Sequence, residues 1–358
     1  MEKLNTVIVG AGRAGGKLVT AALKQIPEIN VIAICDLDID RARKVSRENN
    51  IPHTYTSLKE SLENHDAKLV CICTPPKSHL ELSKMAIQNR CHILLEKPIT
   101  ISIRELDEIK KLQNDTGVKV GFIHNKKFLP GIQKALEIFN KGEIGEILHI
   151  DRTWMTKGDN NLMISDSNCW CHKLPGGRWA ENLVHMIYTP YLFVGKMKLK
   201  NVAAKKTSGK WPWLIADEVE AVLESKTGYV NIRLSANLVS PYKKGVNNLM
   251  ILHGTKGILY CDYEDAYLMT YVSSQIKIKT KMKELFDLVA GGLKLKIRKG
   301  KKTSVDSGHL QNIGQFINHI TKDETPPVSW EEAYHTVQLT EEIGLEIEKV
   351  MEKKMIED

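Results

Sequence analysis

No stretch of this 358-residue chain approaches the roughly 18 consecutive apolar residues that a membrane-spanning helix needs, which excludes a helical membrane protein. The chain enters its first apolar run at Leu4, which leaves no room for a secretory leader, so a cytoplasmic location is expected. Cysteine is scarce. Seven residues, an odd number, make a poor disulfide framework, and Cys71 and Cys73 fall on one face of a predicted buried strand, so reduced thiols are expected. Internal repeats and low-complexity linkers are lacking, so the chain is neither a repeat array nor modules on a flexible tether. Paired metal-binding elements are lacking too. Cys169, Cys171 and His172 form a bare C-x-C-H with no second element, which reads as a thiol-bearing loop, and no metal is expected. The net charge of +8 comes with no recognition-helix, zinc-finger or RNP pattern, so nucleic acid is not an expected partner. Much of the excess is lysine between Lys294 and Lys302, read as a solvated basic loop that could draw in an anionic small substrate or an acidic surface. The apolar LFDLVAGGLKLKI beside it leaves peripheral membrane contact open, although its two central glycines oppose a stable amphipathic helix.

What is present is ordinary for a globular protein: 42% hydrophobic and 26% charged residues, in a chain long enough for two cores. The strongest signal lies at the start. Leu4 to Val9 reads as a buried parallel strand and runs directly into Gly10, Gly12 and Gly15 in G-x-G-x-x-G spacing, with Arg13 and Ala14 between them. Gly10 allows a tight turn, Gly12 lets backbone approach a pyrophosphate, and Gly15 lets the next helix lie close to the sheet. The helix N-terminus then offers unpaired N–H groups and a partial positive charge to the phosphates.

The context satisfies the motif. A helix-like stretch runs to about Ile26, Pro27 ends it, and Asn30 to Cys35 supplies a second strand. Asp36 follows 21 positions after Gly15, near the roughly 20-residue offset of an acid that binds a ribose 2′-OH. Asp38 and Asp40 add charge that would repel a 2′-phosphate, so NAD is the expected cofactor. Arg41 and Arg43 keep NADP as the second choice.

Strand and helix alternate through about residue 125. Helices are expected at Asp40 to Asn50, Ser57 to Asn64, Ser78 to Asn89 and Ser102 to about Thr116, the last two opened by S-x-x-E capping boxes. Strands are expected at Leu69 to Cys73, His92 to Leu95 and Val118 to Ile123, giving a doubly wound parallel sheet over residues 1–125. Residues 126–358 follow another rhythm. After a helix at Ile132 to Asn140, a strand at Glu146 to Met155 and a helix at Trp179 to Leu192, the alternation of Tyr229 to Leu238 predicts an antiparallel sheet with one wet face. Helices at about His309 to Thr321 and Trp330 to Lys353 finish the chain.

Two constellations carry chemistry. Lys97 sits just past the carboxyl end of a predicted parallel strand, where such sheets bind ligands, with Glu96 as its expected partner and Pro98 stiffening the turn. Position alone leaves open whether these are only charged loop residues. In GGRWAENLVH, Glu181 and His185 are four apart, so a helix would put both on one face, with the carboxylate orienting the imidazole; Asn182 suits a substrate hydroxyl. A surface ion pair has the same spacing. The preceding glycines, Gly176 and Gly177, suggest backbone that must approach something closely. The Trp211-Pro212-Trp213 triplet would stack on a sugar or cover a sheet edge, and Trp154 reads as packing.

With GAGRAG, CTPPKSH, LLEKP, GFIHNKKFLPG, GG…H and HGTKG in this order, the chain resembles the Gfo/Idh/MocA oxidoreductases over nearly its whole length. The resemblance implies a Rossmann domain followed by an α+β domain whose open, mainly antiparallel sheet forms a substrate wall and the interface of a homodimer or homotetramer. It implies that Lys97 bonds the reacting hydroxyl, that His185 exchanges its proton, and that Thr74, Pro75, His79 and Glu96 line the cofactor. Asn125 and Lys127 would approach nicotinamide and substrate. Glu181 stands where the family commonly has aspartate. The implied activity is hydride transfer between NAD and a secondary hydroxyl or ketone of a sugar, nucleotide sugar or cyclitol. The alternatives are a glycosidase or epimerase that oxidises only transiently, and a non-enzymatic sensor of NAD and sugar.

Overall fold

The structure is a computed structural model, and it describes residues 3–237, 246–270 and 307–357. Leu238, the apolar LFDLVAGGLKLKI and the basic segment 294–302 lie outside the described residues.

The first half alternates as its hydrophobic runs require. Its strands are β1 (Leu4–Val9), β2 (Ile29–Cys35), β3 (His53–Tyr55), β4 (Leu69–Ile72), β5 (His92–Leu95) and β6 (Val120–Phe122). All pair in parallel, in the order β3-β2-β1-β4-β5-β6. The order reverses between β1 and β4, and that switch point is where such sheets open a ligand crevice. Helices connect the strands: α1 (Thr20–Leu23), continuing a π-wound turn at Ala14–Val19, then α2 (Ile39–Asn49), α3 (Leu58–Asn64), α4 (His79–Gln88) and α5 (Ile103–Thr116). Strand residues such as Val7, Ile8, Val70, Cys71 and Ile93 are fully buried, because helices cover both faces. All seven cysteines are free thiols.

Of the two expected capping boxes, one forms. Ser102 Oγ accepts from the Glu105 N–H, and Glu105 reaches back to the Ile101 N–H at 2.9 Å. Ser78 does not cap α4; its hydroxyl bonds Thr74 Oγ1 at 2.7 Å and Pro75 O at 3.0 Å, and Glu81 pairs with Lys84 instead. A turn of 3-10 helix at Pro76–Ser78 pulls the serine out of capping geometry.

Beyond α6 (Pro130–Asn140) come β7 (Ile147–Thr156), α7 (Leu162–Ser165) and α8 (Arg178–Val194), then β8 (Met197–Lys205), β9 (Glu218–Ser225), β10 (Tyr229–Ser235), β11 (Val246–Gly254), β12 (Gly257–Cys261) and β13 (Ala266–Thr270). These seven strands form one sheet in the order β13-β12-β11-β7-β10-β9-β8, antiparallel except for the β7–β10 pair. The alternation in β10 buries Val230, Ile232 and Leu234 while Arg233 faces solvent; Ser235 is an exception, buried and bonded to Glu218 at 2.5 Å.

The last two helices return to the first sheet. On α9 (Ser307–Lys322), Ile313, Phe316 and Ile317 join the core over β1 and β4. On α10 (Trp330–Glu357), Ala333 and Val337 join the other face's core, while Leu339, Ile343 and Ile347 belong to the core of the second sheet. α10 thus packs on both halves of the molecule.

Among the described residues, no helix is long and apolar enough to cross a membrane.

Candidate active site

The carboxyl ends of β1, β4, β5 and β6 lie side by side along one edge of the parallel sheet, where such sheets bind ligands. Gly10, at a φ of +99°, turns sharply out of β1, and a Cβ there would come within 2.8 Å of the Cys73 carbonyl oxygen. A Cβ on Gly15 would strike the Gly10 carbonyl oxygen, so the helix lies close to the strand end. A Cβ on Gly12 would meet nothing within 4 Å, which leaves open space above the first helical turn. Arg13 and Pro75 flank that space as exposed side chains, with Ala14 and Thr74 half-buried beside them.

Asp36 ends β2 and is fixed by the Ala11 N–H at 2.7 Å, the Asp38 N–H at 2.9 Å and the Arg41 guanidinium at 3.4 Å. Its side chain keeps 10% exposure. Leu37, the next residue, is 93% exposed, an apolar wall suited to an adenine face. Sequence reasoning passed over it, although a leucine directly after the ribose acid was the available signal. The open floor at Gly12, the acid at Asp36 and this wall together fit a dinucleotide.

His79 is fully enclosed: its ring nitrogens meet the carbonyls of Thr74 and Ile99, both at 2.8 Å. It therefore braces the loop after β4 from behind and shows no surface to the crevice. Glu96 is likewise buried. It accepts from the Lys97 N–H at 2.9 Å and meets His309 Nε2 at 2.9 Å. The Lys97 ammonium turns the other way and pairs with Glu181 across 84 residues of chain.

Here the expected geometry needs correcting. Glu181 and His185 do lie on α8, but Glu181 does not orient His185. One oxygen of Glu181 takes Lys97, and the other takes Arg178 Nη1 at 2.6 Å. Burial opposes ionisation of this carboxyl, yet Lys97 and Arg178 outweigh burial and hold it down at about 2. His185 is oriented instead by Tyr188, whose hydroxyl lies 2.8 Å from Nδ1 and accepts the Lys126 N–H at 3.0 Å. A half-buried ammonium and a buried guanidinium draw a carboxylate more strongly than a neutral imidazole one turn away. Burial first, then Lys97, Lys126, His124 and Arg152, push the His185 pKa well below its ordinary 6.5, so the ring is neutral.

Other expectations shift by one residue or one neighbour. Lys127 gives its ammonium to Glu332 at 2.9 Å and Pro327 O at 2.8 Å, so it anchors α10. Of the two neighbouring lysines, Lys126 is the one whose charge is felt at His185. Asn125 is buried, its amide 3.3 Å from His309 Nδ1, and Asn182 is buried with Oδ1 accepting from Arg178 at 2.5 Å. The close approach at Gly176 is to α10: a Cβ there would come within 2.6 Å of Gly344. Trp211 is buried over Gly158, Trp213 bonds the Ile164 carbonyl at 2.8 Å, and Trp154 packs on Trp179, so these indoles cover the fold. Cys169 and Cys171 sit with their sulfurs 3.0 Å apart beside α8.

Lys126, Glu332 and His309 went unnamed in the sequence because their partners lie 62 to 213 residues away, beyond any local spacing rule, whereas Arg178 and Tyr188 lie within one helical turn of Glu181 and His185, a spacing that was the available signal.

Residues 4–124 match the family model described as the oxidoreductase family, NAD-binding Rossmann fold. The match is to the Gfo/Idh/MocA family and is confined to those residues. Among curated relatives, an uncharacterized oxidoreductase from Synechocystis is 31% identical over 152 residues, covering 42% of this chain and 41% of that protein. The scyllo-inositol 2-dehydrogenase (NAD(+)) of Bacillus subtilis is 28% identical over 150 residues, covering 41% and 43%. These matches span about two fifths of each relative's length. A solved oxidoreductase from Thermotoga maritima shares the fold throughout, with a TM-score of 0.76 at 18% identity over 98% of this chain and 97% of that one.

Proposed function

We propose that this protein is an NAD-dependent dehydrogenase acting on a secondary hydroxyl, or the corresponding ketone, of a sugar, nucleotide sugar or cyclitol. The observation that carries the reading is the ion pair between Lys97, just past the carboxyl end of β5, and Glu181 of α8, the helix that also bears His185. The named activity of the inositol dehydrogenase relative supports the substrate class.

In this reading Gly10, Gly12, Arg13, Ala14, Gly15, Thr74 and Pro75 hold the pyrophosphate end of the cofactor, and Asp36 holds its adenosine ribose. Bound there, NAD supplies the acceptor for the hydride that leaves the carbinol carbon. The protein supplies the proton path. In the tautomer whose Nδ1–H is given to Tyr188 Oη, a neutral His185 presents a free Nε2 lone pair to the alcohol proton. Lys97 donates to the same oxygen and steadies developing negative charge, and Glu181 with Arg178 fixes where that ammonium can reach. Asn182 and Asn125 line the same floor. The outer face of the seven-stranded sheet, which exposes Leu148 and Tyr229, is the surface on which we place self-association; light scattering on the purified protein would check it.

The test is NADH formation over a panel of sugars, nucleotide sugars and inositols. Lys97→Met should lose about 10² to 10⁴-fold in turnover while retaining NAD binding. Full turnover by that variant would refute the assignment.

A further inference from the structure

We infer that the substrate carries a negative charge, a carboxylate or a phosphate, and that Lys126 and Arg152 select it. This rests on the catalytic reading above and adds the chemistry of the substrate's far end.

Three observations carry it. First, Arg152 on β7 is only 1% exposed, yet its partners among the described residues are all neutral: Thr189 Oγ1 at 3.3 Å, the carbonyls of Thr153 and Leu249 at 3.2 and 3.0 Å, and the Tyr263 hydroxyl at 2.9 Å. Four of its five N–H groups have these partners, and its charge has no counter-ion among the described residues. A buried charge without a counter-ion is costly, which makes a ligand anion the natural complement. Second, Lys126 leaves its ammonium unpaired by any carboxylate among the described residues, 5.1 Å from the centre of the Tyr263 ring, and Arg152 lies 5.4 Å from that same ring. One tyrosine therefore gathers two cations. Third, this pair sits at His185. Thr189 joins Arg152 to the His185 carbonyl at 2.7 Å, and the Lys126 backbone is tied to Tyr188, which orients the imidazole.

The neighbouring carboxylates are spent elsewhere. Glu181 answers Lys97 and Arg178, Glu332 answers Lys127, Glu96 meets His309, and Asp265 pairs with Lys134 at 2.7 Å. Of five cations, Lys97 and Arg178 share Glu181 and Lys127 takes Glu332, while Lys126 and Arg152, both against Tyr263, form no ion pair among the described residues; Asp262 beside that tyrosine accepts the backbone N–H groups of Glu264 and Asp265. An anion there would sit to one side of the reacting hydroxyl, where charge-assisted bonds set both orientation and selectivity.

The experiment is calorimetric binding to the NADH-loaded protein at constant ionic strength, with D-glucose, D-glucuronate, D-glucose 6-phosphate and L-malate. At least one anion should bind about tenfold to a hundredfold more tightly than glucose, the worth of a hydrogen bond to a charged group. Glucuronate over glucose 6-phosphate identifies a carboxylate, and the reverse a phosphate. Lys126→Met should erase most of that advantage, and Lys126→Arg should keep it. Lys126 is half-buried, and unchanged NADH affinity shows that the variant is folded. Equal affinities for glucose and every anion, no anion binding at all, or an anion preference untouched by Lys126→Met would overturn the inference. If L-malate binds through Lys126 while no sugar binds, the anion site stands and the carbohydrate reading falls.

Discussion

Glu181 holds two cations within one buried site, so its removal is a sharper probe than its position on α8 suggests. Glu181→Gln strands Lys97 and Arg178 without a counter-ion and should cost about 3 kcal/mol in urea unfolding at neutral pH. The sign with pH is fixed. A carboxyl held down at about 2 contributes stability that is complete above its ordinary 4.5 and is lost as pH falls toward 2, so the gap between variant and parent should narrow over that range. An unchanged midpoint would place Glu181 in solvent. His185 gains its proton only at lower pH than a surface imidazole, because burial and the neighbouring cations keep it neutral well below 6.5. The acid limb of kcat/KM should accordingly fall below pH 6.5, and Lys126→Met should move it upward by removing one of the charges that lower it. A limb at or above 6.5 in the parent would contradict the neutral-base role.

At the scale of elements, α9 and α10 make the site possible by returning to the first sheet. Phe316 lies against Gly121 of β6, where a Cβ would come within 2.5 Å of the ring, and His309 and Asn312 of α9 bond Glu96 and the His124 backbone. Phe316→Ala should therefore cost about 3 kcal/mol or more of stability and loosen the loop bearing Lys97 as well; denaturant midpoint and NAD affinity would read the two effects. A normal midpoint would show that α9 is dispensable. This is also where reading by sequence stopped. The parallel strands, the glycine turn and Asp36 were legible because each is specified by neighbours within one βαβ unit. The Ser102 cap was legible for the same reason, while the Ser78 cap failed because a preceding 3-10 turn redirected its hydroxyl. Glu181 was visible as a helix neighbour of His185, but its true partner, Lys97, is joined to it only by tertiary folding.

At the scale of the whole molecule, α10 packs on the cores of both sheets, and the groups proposed to react come from both halves: Lys97 from one, Glu181 and His185 from the other. Cofactor choice belongs to the first half alone. Asp36→Ala should weaken NAD more than NADP, since Arg41 then keeps only Asp38 of its two carboxylate partners and has a nitrogen left to meet a 2′-phosphate. Equal losses for both would deny the ribose role. The central claim is that the two halves present one ammonium and one imidazole to a single carbon. The most direct measurement is a crystal structure of the NAD complex. The account predicts Lys97 Nζ and His185 Nε2 on the same side of the nicotinamide ring, both able to bond one oxygen placed about 3 to 3.5 Å from C4. A ring bound elsewhere, or one that reaches only one of the two groups, would contradict it.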